Sequence, residues 1–443
     1  MTMCDEVVMK LTSGIRMKKR KRPSNTKGHL DCVKNGFCSC DDPLILSEED
    51  TRYAANVFIN FFSPLENIAD YMRTSKLDRM EKSTLEDFFD EGPEKNFFND
   101  YSMSPMDMDF ELVPVDKKLD NQFNRPKAFE DHLDIVSSHN NMLSIPGREL
   151  KVVIKEKVTD TIVGFIRLGS PTINSKPRNE FLGEPLSGKH LERFNQSASM
   201  GFIIVPVQPF GYNYLGGKLL AAICCSHAMK EIFDNKYDSN LCLFETTSLY
   251  GTSKDSSQYD GMKPFLRFKG LTDSNFAPVL PDTKFREIYN WFKQKNAAYH
   301  ETYRYPDYKT SKEELPLIWE KASSKKLKKM TRMFSIITTS AKKHGMTELL
   351  KEFKDCTTHA KNLTEQKRFY MSDYGFANVS DYILGKTNEL EKKENYDRFS
   401  FDNAVKWWQN KATKRFESLK REDRLRTKLE LWSKNPDEID IIR

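Results

Sequence analysis

Glu245 is the residue whose type and setting most invite chemistry. It lies in Leu241-Cys-Leu-Phe-Glu-Thr-Thr, an acid inside an otherwise apolar run. Burying a carboxylate there is costly, so it is either paired or its pKa rises toward neutrality. A carboxylate so raised suits a general base that takes a proton from an amine. The alternative is a Glu at the wet end of a strand, paired with Arg167 or Lys263. Tyr250, a few residues on, could act as general acid toward a thiolate leaving group, or simply pack. Gly251 to Tyr259 is a polar loop whose hydroxyls and Lys254 could meet a substrate or phosphate, or only water.

A second constellation is Gln208-Pro-Phe-Gly211 with Gly216 and Gly217. Glycines let backbone N–H groups approach a phosphate closely, and a following helix N-terminus adds its dipole. Asn213 occupies the place where a second small residue would complete a tight loop. Cys224 and Cys225 diverge on a helix and read as core or helix-face residues, and His227 reads as solvated. Cys32, Cys38 and Cys40, with His29 upstream, lack the paired C-x2-C spacing of structural zinc sites, so no metal is expected.

The elements that must position these residues follow from periodicity. Val152–Lys157 and Ile162–Leu168 read as two strands joined at Thr159-Asp-Thr. Residues 170 to 199 read as loop. Phe202–Val207 and Leu241–Thr246 read as buried strands, and 215 to 233 between them as one helix. Strand, helix and strand make the two strands parallel. Ala54 to Met72 reads as two short helices broken at Pro64. Glu86 to Asp116 is acidic and carries Phe88, Phe89, Phe97 and Phe98, which either pack on the core or belong to a disordered stretch. From about 285 onward the chain reads helical. In Phe401 to Leu419 one stripe holds Val405, Trp408, Ala412, Phe416 and Leu419, and the opposite face holds Lys406, Lys411, Lys414, Lys420 and Arg421.

The chain has 443 residues, 38% hydrophobic and 30% charged, with a net charge of +6. That length argues for two or three domains. The charge is too mild by itself to imply nucleic acid, but residues 319 to 436 carry a basic excess of roughly +10. Lys411, Lys414 and Arg415, with Phe399, Trp407 and Phe416, could track phosphates and stack on bases of DNA or RNA. The run Lys18 to Arg22 could touch nucleic acid or serve as an address, or be a solvated tail. The sequence has no run of eighteen apolar residues and no secretory signal, and its eight cysteines are few. The expected setting is a reducing cytoplasm, the host's if the chain is viral, without membrane contact. The Lys- and Asn-rich composition suits a large phage.

The order of hairpin, buried strand, Gly-bearing loop, helix and buried strand resembles the core of the GNAT acyltransferase superfamily. Val152 to Ile166 resembles its second and third strands, Phe202-Ile-Ile-Val-Pro its fourth, and Gln208-Pro-Phe-Gly211 the start of its Gln/Arg-x-x-Gly-x-Gly/Ala loop. A closer resemblance, over about 130 residues, is to the GNAT-like domain of DruA proteins from Druantia anti-phage systems. It rests on Asn213-Tyr-Leu-Gly-Gly-Lys-Leu-Leu220, Leu243-Phe-Glu-Thr246 and Leu249-Tyr-Gly-Thr-Ser253.

The resemblance implies an α+β fold, a GNAT-like mixed β-sheet flanked by helices. A mostly helical C-terminal region and a flexible N-terminal leader are added. The implied divisions are 1–50 leader, 51–300 GNAT-like domain and 301–443 helical region. It further implies acetyl-CoA or another acyl-CoA as donor and an amine on a protein or small molecule as acceptor. Val205, Val207, Gln208, Gly211, Tyr212, Asn213, Gly216, Gly217 and Lys218 would hold the donor, with Glu245 and Tyr250 catalytic. The competing expectation is a GNAT-like scaffold that has lost its donor and binds nucleic acid through Lys411, Lys414 and Arg415.

Overall fold

The computed structural model describes residues 44–80, 93–115, 126–137, 147–248, 257–275, 279–302, 323–363 and 366–431. The basic run at 18–22, the His29–Cys40 group, Phe88, Phe89, Tyr250 and Lys254 lie outside them.

The described residues open with α1 (Glu48–Phe62) and α2 (Ile68–Met80), the pair expected on either side of Pro64. Ser47 caps α1 by accepting a hydrogen bond from the Asp50 amide at 3.1 Å. Next come β1 (Phe110–Pro114), α3 (Pro126–Val136), β2 (Glu149–Glu156) and β3 (Thr161–Gly169). The β2–β3 turn is built by Glu156, whose carboxylate accepts from the Thr159 amide at 2.8 Å and the Val158 amide at 3.2 Å. Asp160 adopts a φ of 54° there, a conformation that Asp tolerates better than most residues.

Residues 170 to 199, expected as loop, contain α4 (Lys176–Leu182) and α5 (Gly188–Ser197). Both are short and polar on their outer side, so their apolar faces (Leu182; Phe194) are too sparse to announce a helix. They lead into β4 (Ala198–Pro206), α6 (Phe210–Tyr214), α7 (Gly216–Cys224), α8 (His227–Tyr237) and β5 (Leu243–Ser248). The single helix expected over 215 to 233 is therefore two. It breaks at Cys225 because Ser226 starts a new helix: its hydroxyl donates back to the Ile223 carbonyl at 2.7 Å and accepts from the Met229 amide.

β6 (Arg267–Asn275) follows, then α9 (Asp282–Thr302), α10 (Ser323–Lys343), α11 (Thr347–Asn362), β7 (Gln366–Ser372), α12 (Val379–Ile383) and α13 (Phe401–Arg421). β7 departs from the helical reading of the C-terminal region, whose described residues are otherwise helices joined by turns.

Among the described residues seven strands form one mixed sheet in the order β1-β2-β3-β4-β5-β7-β6. All neighbours are antiparallel except β4 and β5. The four expected strands, the alternating pair and the two buried ones, are in it, and the 202–207 and 241–246 segments lie in parallel strands, as the helix between them requires. One core fills the space between the sheet and α7, α8 and α13, with Trp408, Phe210, Tyr214 and Leu220 at its centre. A smaller one lies under α3 and includes Phe97, Phe129, Phe165 and Leu431. Phe98 joins the first core, so of the four phenylalanines named in the acidic segment the two that are described both pack, as do Tyr101 and Phe110.

A third core is all-helical. It draws Phe58, Phe62 and Tyr71 from the N-terminal side, Ile288 and Phe292 from α9, and Met333, Ile337 and Phe353 from α10 and α11. Residues on both sides of position 300 thus contribute to the helical core, and β7 and α13 return to the sheet. No helix among the described residues is long and apolar enough to cross a membrane.

Candidate functional site

The parallel pair is short. β4 and β5 are paired from Ala198/Leu243 to Gly201/Thr246. Phe202 is then skipped in the register with β3, where Arg167 faces Ile203 and Leu168 faces Gly201. Beyond this bulge Ile203–Pro206 pair with β3 alone, while Thr247 and Ser248 pair with β7. The two strands part, and Phe202, 39% exposed, stands at the parting. Bulges commonly re-aim a strand beside a functional site, and ligands bind outside the carboxyl ends of parallel strands. Gly201 is needed for packing: a Cβ there would lie 2.9 Å from both the Phe244 ring and Ile204.

The turn after β4 is where the glycines were expected to expose a row of amides. It is instead folded on itself. The Gly211 amide donates to the Val207 carbonyl at 2.8 Å, Asn213 to Pro209 at 2.8 Å, and Lys218 to Leu215 at 2.9 Å. The Tyr212 amide is taken by the Gln208 side chain at 3.0 Å. Gly216 and Gly217 are buried; a Cβ on Gly216 would meet the Phe210 ring at 2.7 Å and Pro206 at 2.9 Å, and one on Gly217 would strike Gln258. These glycines serve close packing.

The chain's own C-terminal segment lies across the same turn. Asn213 is buried and exchanges two hydrogen bonds with the Arg426 backbone, at 2.7 and 3.1 Å. The Glu430 amide donates to the Gln208 carbonyl at 3.1 Å, and Leu431 packs with Val207 and Val205. Lys218 donates to the carbonyls of Gln258 and Asp260 at 2.8 and 2.5 Å. In this arrangement the turn does not fit a diphosphate, because the amides that would receive it already have partners or are covered.

Glu245 is fully buried, and so is its partner, which is neither Arg167 nor Lys263 but Arg178 of α4. Arg178 Nη1 lies 3.2 and 3.1 Å from the two carboxylate oxygens, and Nη2 donates to the Ile173 carbonyl at 2.7 Å. The guanidinium sits 4.4 Å over the Phe194 ring. Burial pushes the Glu245 pKa up to about 7, and Arg178 opposes that rise. Arg167 binds Glu149 of β2 at 2.6 Å, and Lys263 is exposed. The carboxyl has the pKa of a base and no access to bulk water.

Cys224 and Cys225 are buried thiols whose pKa values burial raises, which suits core residues. His227 is half-buried rather than solvated: it stacks 4.1 Å from the Tyr396 ring, and burial lowers its pKa.

Residues 67–255 match a family model, that of Druantia protein DruA. No curated protein and no solved structure matches the chain. The DruA-matching stretch is somewhat under half of the 443 residues. It carries β1 to β5, the parting and the filled turn; β6, β7 and α13 lie beyond it.

α13 docks on this DruA-like segment. Ala404, Val405, Trp408, Ala412, Phe416 and Leu419 are buried, and Trp408 Nε1 donates to the Tyr214 carbonyl at 2.8 Å. Lys406, Lys411, Lys414, Lys420 and Arg421 are exposed, as the helical stripe required. The aromatics expected to stack on bases divide: Phe399 and Phe416 are in the core, whereas Trp407 is half-buried with Lys411 5.2 Å from its ring.

Tyr212, read from sequence as a donor contact, and Arg415, read as a nucleic-acid contact, meet. Arg415 lies 4.8 Å and Arg426 4.0 Å from the Tyr212 ring centre, and Arg424 donates to its hydroxyl at 3.3 Å. Lys411 and burial both depress the pKa of Lys218, burial more strongly. Arg424, Arg426 and Arg178 escaped the sequence reading. The two tail arginines flank an apolar residue and resemble any solvated basic segment, and Arg178 stands in a stretch punctuated by Pro and Ser.

Proposed function

We propose that this protein binds nucleic acid through the outward face of α13 and the cations gathered at Tyr212, on a scaffold of the GNAT acyltransferase type. The observation that carries the reading is the convergence of Lys218, Lys411, Arg415, Arg424 and Arg426, from three separate elements, on one surface. Glu422 and Glu430 pair with Arg424 and Arg426, but Lys411 and Lys414 stay exposed. Such a cluster attracts a polyanion by counterion release, with little dependence on sequence. The test is a salt series of binding to a DNA duplex and a single strand. Affinity that falls steeply with salt supports the reading; no binding at low salt by folded protein ends it.

A second reading, transfer of an acyl group from acyl-CoA to an amine, is favoured by the parting of β4 and β5 at Gly201/Thr246 and by the helix that starts at Gly216. It requires the turn to give up the Asn213–Arg426 and Gln208–Glu430 contacts, and Glu245 to become accessible. Calorimetric titration with acetyl-CoA tests it directly.

A further inference from the structure

The sheet carries a second aromatic–cation site that the α13 reading does not include. Phe268, on β6 at the sheet edge, is 45% exposed. The Arg368 guanidinium lies 4.2 Å from its ring centre, and the Tyr370 ring stands at 5.7 Å, tilted by 59°. Arg368 is held in place: Nε donates to the Tyr370 hydroxyl at 2.9 Å, and Nη2 lies 3.4 Å from Asp260 Oδ1. The Tyr370 hydroxyl donates to the same Asp260 oxygen at 2.7 Å. The Asp260 carbonyl receives Lys218, whose charge feels Lys411. Phe268 and the α13 cations are therefore joined through one network, on the side of the sheet that carries α7.

We infer that Phe268 is a stacking platform for a base of single-stranded nucleic acid whose backbone follows Arg368, Lys218 and Lys411. The inference rests on the nucleic-acid reading and narrows it to single strands, because a base stacked between its neighbours in a duplex has no free face to offer. The exposed part of the ring supplies the π-surface, and Arg368 on the ring adds a cation within reach of the next phosphate. Asp260 and Tyr370 keep Arg368 from swinging away, so little ordering is left to binding.

The experiment compares a fluorescent single-stranded oligonucleotide with an abasic strand of equal length, by anisotropy at fixed salt. The parent should prefer the base-bearing strand. Phe268→Ala should weaken that strand by about tenfold or more, leave the abasic strand unchanged, and unfold at the parent's temperature. Phe268→Leu, which keeps apolar bulk without the π-face, should stay weak. Equal affinity of parent and Phe268→Ala for the base-bearing strand overturns the inference. If the variant Lys411→Glu/Lys414→Glu/Arg415→Glu still loses affinity in that case, the α13 reading stands without it. If the parent binds neither strand at low salt, the inference falls, and the α13 reading falls with it only if a duplex is not bound either.

Discussion

On one side of the sheet, where β4 and β5 part, Glu245 and Arg178 are both shut away from water. On the other, Lys411 and Lys414 stand in it, and Arg415, Arg424 and Arg426 crowd the rim of Tyr212. Both places hold charges that a sequence reading would nominate for chemistry. The enclosed pair is held by the fold and has no solvent route. The open group is unbalanced in charge and faces outward. Burial makes a charge expensive and therefore pairs it; exposure leaves a charge cheap and available. The same residue types thus do opposite work on the two sides.

The comparison breaks most directly at Arg178. Arg178→Met should leave Glu245 buried without a partner and cost about 3–5 kcal/mol, measured by urea unfolding followed through tryptophan fluorescence. A loss below about 1 kcal/mol would mean that the pair is less enclosed than its burial indicates.

On the open side, charge reversal at Lys411, Lys414 and Arg415 should weaken nucleic-acid binding by about a hundredfold and flatten the slope of log affinity against log salt by roughly two to three. It should move the unfolding midpoint by no more than the loss of the Lys411–Trp407 and Arg415–Tyr212 contacts, because none of the three belongs to the buried stripe. A melting shift with unchanged binding would make these residues packing groups.

pH separates the two sides again. The Glu245 pKa is raised from 4.5 to about 7 in the folded chain. Its contribution to stability is therefore fully present below about 4.5 and is lost as pH rises through about 7, because ionisation is disfavoured inside the fold. Glu245→Gln should remove that decline, worth on the order of 3 kcal/mol, when unfolding is compared at acidic and neutral pH. A parent that grows more stable over this interval would show that Arg178 outweighs burial.

The smallest expected effect is a null. Acetyl-CoA titrated into the full chain should give no binding heat, because the turn after β4 is filled. Removing residues 422–443 frees the turn of its Arg426 and Glu430 contacts, so heat that appears only then would sharpen the second reading. Heat with the full chain would show that the tail yields to the ligand.

Some of this was legible in the residues. The segments Val152–Lys157 and Ile162–Leu168 are the strands their residue types announce; burial alternates in part along β2, whereas β3 is buried on both faces from Ile162 to Gly169. α13 carries its own stripe, with Trp408 and Phe416 inward and Lys411 and Lys414 outward. β7 was illegible because its place is set by neighbours: it lies between β5 and β6, which lie far from it in sequence. β1 hid in an acidic segment because only Phe110 of its five residues is buried.

What the sequence by itself determined is the inward face of α13, since a period of 3.6 states which side of a helix excludes water. It also determined that Glu245 must be compensated, since its apolar neighbours leave no other outcome. Which group compensates it, and what lies on the glycine turn, only the tertiary structure decided. Arg178 reaches Glu245 across 67 positions, and Arg426 reaches Asn213 across 213. Contacts at such separations depend on how the whole chain closes, and no local pattern of residue types carries that information.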